Sequence, residues 1–137
     1  RRRRARRRSG HRAAPPMQAL LSSAAAQVQS ELGGGYTEDN YQKAMAWQLT
    51  LDGADATMEE SRPCYYKNRY IGQCRADIVV VYGEERACVE LKQAASAAGE
   101  AVLSRWCAQA RKYSRWFEGH DAYLVVFTAE GAVSRRV

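Results

Sequence analysis

The chain has 137 residues, 46% hydrophobic and 26% charged, which suits a globular protein with one core. Its net charge of +6 is concentrated at one end: residues 1–12 carry eight arginines and no acid, leaving thirteen basic against fifteen acidic groups, or −2, for the remainder. Composition therefore excludes a basic body, and no apolar stretch approaches the ~20 residues of a membrane helix.

The first stretch, "RRRRARRRSGHR", has no apolar surface to bury and is expected to be disordered. With the following "AAPP" it makes a tail and linker over residues 1–16, and residues 17–137 form a single domain. Such a basic run suits nucleic acid or a nuclear address. A non-native extension is the alternative, because Met17 opens the foldable sequence. The segment behind it, "MQALLSSAAAQVQSEL", is too polar for a signal peptide. It reads as a helix over 17–32, ended by Gly33-Gly34-Gly35. A second helix fits "TEDNYQKAMAWQLTLDG", with Thr37 as N-cap, Gly53 closing it, and Tyr41, Ala44, Met45, Trp47 and Leu49 as its apolar stripe.

The middle of the chain reads as sheet. Residues 57–67 and 69–82 flank a turn at Lys67-Asn68-Arg69, and residues 86–92 follow a turn at Gly83-Glu84-Glu85. Ile78-Val79-Val80-Val81 is apolar at every position, the pattern of a central strand covered on both faces. A helix spans 98–118, with Leu103, Trp106, Ala110, Tyr113 and Phe117 at three- and four-residue steps, and "AYLVVFTA" is a last strand. The order predicts an α/β chain of the α+β kind, with a mixed sheet carrying helices on its faces. Cys64, Cys74, Cys88 and Cys107 show neither a CxxC pair nor Cys–His ligand spacing. They are expected to be free core thiols in a reducing, intracellular compartment, without structural zinc.

The stretch "RADIVVVYGEERACVELK" places Asp77, Glu90 and Lys92 in an otherwise apolar hairpin. Glu90 and Lys92, two apart in a strand, share a face. Asp77 comes opposite Glu90 or Leu91, depending on whether the turn has two or three residues. Either register brings the two carboxylates close, since cross-strand neighbours lie only ~4.5–5.5 Å apart. Such a pair repels and loses hydration, so it calls for a cation. Mg²⁺ is typically held by one or two carboxylates with waters and phosphate oxygens, and Lys92 would stand beside it as a mobile point charge. In outline this is a phosphodiester-hydrolysing site. The bland alternative is a Glu90–Lys92 surface ion pair on an edge strand, worth ~0–1 kcal/mol.

Taken together, "LGGGYTEDNY", "YYKNRYIGQCRADIVV", "VELK" and "AQARKY" resemble the GxxExxY proteins, a branch of the PD-(D/E)XK nuclease superfamily, over about residues 24–137. The resemblance implies a mixed four-stranded sheet flanked by helices, with the Asp…Glu-x-Lys signature on Asp77, Glu90 and Lys92. It further implies Glu38 as an additional metal ligand and Gln109 as an orienting group, with the motif tyrosine on Tyr113. Mg²⁺ or Mn²⁺ would sit on Asp77, Glu90 and Glu38, and the chain would cleave DNA or RNA, as a homodimer where a duplex requires two sites. A catalytically inactive module that keeps the fold and binds nucleic acid or protein is the alternative. Gln29 and Gly34 depart from the family, which often has His and Pro there. The stretch from Lys92 to Gln109 is longer than usual, and "VVFTAEG" replaces an Asn-Phe-Gly stretch. Tyr41 and Tyr113 are expected to pack rather than react, and no base-reading helix or stacking motif stands out.

Overall fold

The computed structural model describes residues 16–137. The arginine-rich run, with its expected disorder and nuclear address, lies outside the described residues. Pro16 belongs not to a linker but to the first turn of helix α1 (Pro16–Leu32), where a missing N–H costs nothing. Next to it, the Met17 N–H donates to Glu85 Oε2 at 3.1 Å. Gly33, at φ +68°, ends the helix by donating to the Gln29 carbonyl at 2.8 Å, a left-handed position suited to glycine. Helix α2 (Glu38–Leu51) begins with a capping box in which Thr37 and Asn40 satisfy each other's backbone N–H groups. Tyr41, Met45 and Leu49 are fully buried along it, as their spacing predicts. Trp47 is not part of this stripe and is 64% exposed. Two residues beyond Met45 it has turned about 200° around the axis, away from the core.

Five strands follow the helices: β1 (Asp55–Tyr66), β2 (Arg69–Tyr82), β3 (Glu85–Gln93), β4 (Asp121–Thr128) and β5 (Gly131–Arg136), with α3 (Glu100–Trp116) between β3 and β4. They form one sheet in sequence order. β1, β2 and β3 are antiparallel, β3 and β4 are parallel across the α3 crossover, and β4 and β5 are antiparallel. The mixed sheet is thus as expected, with one strand added. β5 carries no apolar run because it is an edge. Val133 is exposed, and Ser134 faces α1, where it bonds Ser22 at 2.6 Å.

The sheet separates two apolar layers. Ile78, Val80, Val89, Leu91, Val125 and Phe127 pack beneath α1 and α2, and the Phe127 ring stacks on Tyr41 with centroids 4.6 Å apart. Val79, Cys88, Ala122, Leu124 and Val126 face α3, against Cys107, Tyr113 and Phe117. The four cysteines are free; Cys88 and Cys107 are buried, and Cys64 and Cys74 are half-buried. Among the described residues, no helix is long and apolar enough to cross a membrane.

Phe127 and Trp47 test this layering. Phe127→Ala should cost about 3–5 kcal/mol in chemical denaturation, as expected for a large buried ring, while Trp47→Ala should stay within about 0.5 kcal/mol.

Candidate active site

The β2–β3 turn has two residues, Gly83 and Glu84, between the paired Tyr82 and Glu85. This choice of register makes Ile78 face Val89 and brings Asp77 level with Glu90; contrary to the expectation that either register would do, a three-residue turn would put Glu90 on the opposite face. The ladder stops there. Instead of a backbone carbonyl, Asp77 Oδ2 accepts the Leu91 N–H, at 2.7 Å. Beyond this point β3 continues beside β4 as far as Gln93, whereas β2 continues toward its tip beside β1. Asp77 therefore sits at the apex where two strands part. The neighbouring ladder is also irregular: it steps from Met58–Ile78 to Glu60–Ala76, and Glu59 between them has a left-handed φ of 57°. From α2, the buried Gln42 donates to the Asp77 carbonyl at 2.7 Å and fixes that peptide.

Glu90 is 9% exposed and held on both oxygens. Oε1 lies 3.1 Å from Lys92 Nζ, and Oε2 accepts the Tyr113 hydroxyl. Lys92 is itself largely covered, so the pair is not the solvated edge contact of the bland reading. Burial raises the Asp77 pKa to about 6, against the lowering effect of the Leu91 N–H. Glu90 and Glu38 add to the rise, and Lys92 opposes it. Burial, and then the bond to Glu90, also raise the Tyr113 pKa, so its phenol keeps its proton and acts as a donor.

Asp77, Glu90 and Gln109 line one cavity of about 310 Å³, together with Arg75, Lys112 and Tyr113. Gln109 is half-buried, and its Oε1 is buried without a hydrogen-bond partner. Glu38 stands elsewhere. It lines an adjoining cavity with Asp77 but not Glu90, and its Oε1 accepts the Gln93 N–H at 3.3 Å. Asp77, Glu90, Lys92 and Gln109 are thus gathered, and Glu38 flanks them across the Asp77 apex. Among the described residues, no three His, Cys, Asp or Glu side chains converge as a ready metal cage. The residues nevertheless fit a hard divalent cation. Two close carboxylates, one resisting ionisation, and an orphan amide oxygen on the same cavity form an oxygen-rich set that leaves room for water or phosphate.

Sequence reasoning treated Tyr113 as packing and passed over Gln42 and Lys112. Tyr113 does pack, with its ring against Phe117 at 6.0 Å, but it also orients Glu90. The available signal was its position four residues after Gln109, on the same helix face.

The sequence profile of the PD-(D/E)XK nuclease superfamily matches residues 16–137, and the chain belongs to that superfamily. No curated protein matches it. The crystal structure of a protein designated SSO0001 has the same fold, with a TM-score of 0.51 at 16% identity over 88% of this chain. The chain spans 65% of that protein's length. Hjc of Archaeoglobus fulgidus, a Holliday junction resolvase from an archaeal hyperthermophile, aligns at 17% identity with a TM-score of 0.47, over 72% of this chain and 70% of that one.

The raised Asp77 pKa has a measurable consequence. In the folded protein Asp77 binds its proton more tightly than in the unfolded chain, so its contribution to stability falls as pH rises from about 4 to about 6. Asp77→Asn keeps an acceptor for Leu91 and removes that penalty. Denaturation midpoints should show no gain below pH ~4 and a gain above pH ~6 on the order of 1–2 kcal/mol, after discounting for the solvent-open side.

Proposed function

We propose that this chain is a metal-dependent nuclease of the GxxExxY branch, hydrolysing phosphodiester bonds of DNA or RNA. Membership of the PD-(D/E)XK nuclease superfamily, whose nucleases generally use divalent metals, supports this reading. The observation that carries the reading is that Asp77 and Glu90 share an open, polar cavity where β2 and β3 part, with Lys92 ion-paired to Glu90. Asp77 and Glu90 would hold Mg²⁺ or Mn²⁺, and Glu38 would add charge from the rim. The ion would supply a more acidic water and a clamp on phosphate oxygens.

The chain's own residues have separable tasks. Lys92, tethered 3.1 Å from Glu90, presents its remaining ammonium protons to a phosphate oxygen or to the attacking water. Tyr113 fixes the Glu90 rotamer by occupying one of its oxygens. The Leu91 N–H fixes Asp77, and Gln109 offers its unpaired oxygen from α3. One feature favours the second reading, a binding module that retains the fold without activity: both Glu90 oxygens already have partners, so a cation must displace or share one.

Labelled DNA and RNA, incubated with Mg²⁺, Mn²⁺ or EDTA, separate these readings. Cleavage should require the ion, and Lys92→Ala should slow it by about 10²–10³-fold without abolishing binding. Binding with no cleavage under any metal would leave the inactive module.

A further inference from the structure

The β1–β2 hairpin continues far past the end of the β2–β3 ladder. β1 and β2 pair from Asp55–Val81 out to Tyr66–Arg69, whereas β3 leaves β2 at Ile78–Val89. Its tip turns on Lys67 and Asn68, both at positive φ, the geometry of a two-residue turn that matches strand twist. Residues 61–76 contain four basic side chains and no acid. On this arm Tyr65, Tyr66, Tyr70 and Ile71 stand 47–61% exposed. Tyr65 and Tyr70 meet edge to face at 6.1 Å, and Lys67 Nζ lies 5.4 Å over the Tyr66 ring. Gln73 donates to the Tyr70 hydroxyl at 2.9 Å. Exposed aromatic patches of this kind mark interaction surfaces.

The arm is continuous with the candidate site. The cavity holding Asp77 and Glu90 shares Gln73, Cys74 and Lys112 with a second cavity, of about 250 Å³, that runs on to Ile71 and Trp116. Together they make one trough between the hairpin and α3. Asp77 lies six strand steps from Ile71, a length of ~20 Å. At ~3.4 Å per stacked nucleotide this accommodates about six nucleotides.

We propose that the trough and hairpin take a single-stranded nucleic acid, or an unpaired segment, and lead it to the carboxylates. This rests on the nuclease reading and names its substrate class. Arg75 and Lys112 line the path for phosphates, with Lys67 and Arg69 at its tip. The tyrosines offer π-faces that only unpaired bases can use, since a duplex hides its base faces in its own stack. A single strand also has one backbone to cut, so one site suffices.

The test uses the full chain in EDTA, with fluorescence anisotropy on a labelled single-stranded oligonucleotide and on the duplex of the same sequence. The single strand should bind more tightly. Tyr65→Ala with Tyr70→Ala should weaken it by roughly tenfold or more, leaving duplex affinity and thermal melting unchanged. Because no charge is removed, the salt dependence of binding should keep its slope, which the arginine-rich end cannot imitate. Tyr70→Phe keeps the ring face and should retain affinity. Equal parental affinity for duplex and single strand would overturn the proposal, as would a double variant that binds single strands like its parent. So would sedimentation showing that the two substitutions abolish self-association while single-strand affinity persists, which would assign the hairpin to a second copy. The two readings fail separately. Tyrosine-dependent binding without metal-dependent cleavage keeps this inference and removes the nuclease; cleavage indifferent to the tyrosines does the reverse.

Discussion

One hydrogen bond, from the Leu91 N–H to the Asp77 carboxylate, stands where a backbone ladder would otherwise continue. Leu91 is 2% exposed, so its N–H needs a partner, and leaving it bare would cost about 1–3 kcal/mol. By supplying that partner from a side chain, Asp77 lets β2 and β3 part without an orphaned donor and is itself locked at the vertex. The whole constellation then depends on the two-residue turn at Gly83-Glu84. One more residue there would shift the β3 register by one and turn Glu90 and Lys92 toward the α1–α2 layer, where Val89 and Leu91 now pack.

Such a vertex has electrostatic consequences. Burial resists ionisation of Asp77, and the buried Glu90 beside it adds to that resistance. The protein supplies limited relief: one ammonium and one phenol on Glu90, and one amide on Asp77. A fully structural charge cluster would close the remaining valences. Here the Gln109 oxygen is left unpaired and the cavity stays open, so compensation is incomplete in a way that suits an exchangeable cation.

How much could be read from residues alone follows from which features are local. The Thr37 cap, the Ile78–Val81 run, the glycine turn and the α3 stripe are set by nearest neighbours and periodicity, and the fold agrees with them. Asp77, Glu90 and Lys92 could be brought together because hairpin geometry ties sequence offset to spatial register. β5 escaped because an edge strand needs no apolar run, and Trp47 was misplaced because one stripe can be drawn too wide on a helix. Tyr113 carries the motif tyrosine by resemblance but reads as packing from its helix position, because its second role depends on a contact with Glu90, 23 residues away. The hairpin tyrosines read as ordinary strand formers. What exposes them is that β3 ends its pairing early, a tertiary fact.

Charge is sorted over short distances rather than across the body. Carboxylates from β1, β2, β3 and α2 (Glu59, Asp77, Glu90, Glu38) border the vertex, while the hairpin beyond it holds four bases against one acid, Glu60, which pairs with Arg62. A phosphate chain drawn along Arg75 and Lys112 would run head-on into the carboxylate pair, and at a few ångströms like charges in a half-buried cleft repel strongly. Lys92 is already committed to Glu90 and can neutralise only one of the two acids. If the trough leads an anion toward these acids, as proposed, a further positive charge is needed at the meeting point. On the proposed path, the approach of a phosphate chain to Asp77 and Glu90 is thus a reason for a cation there that does not depend on the ligand chemistry of the two side chains.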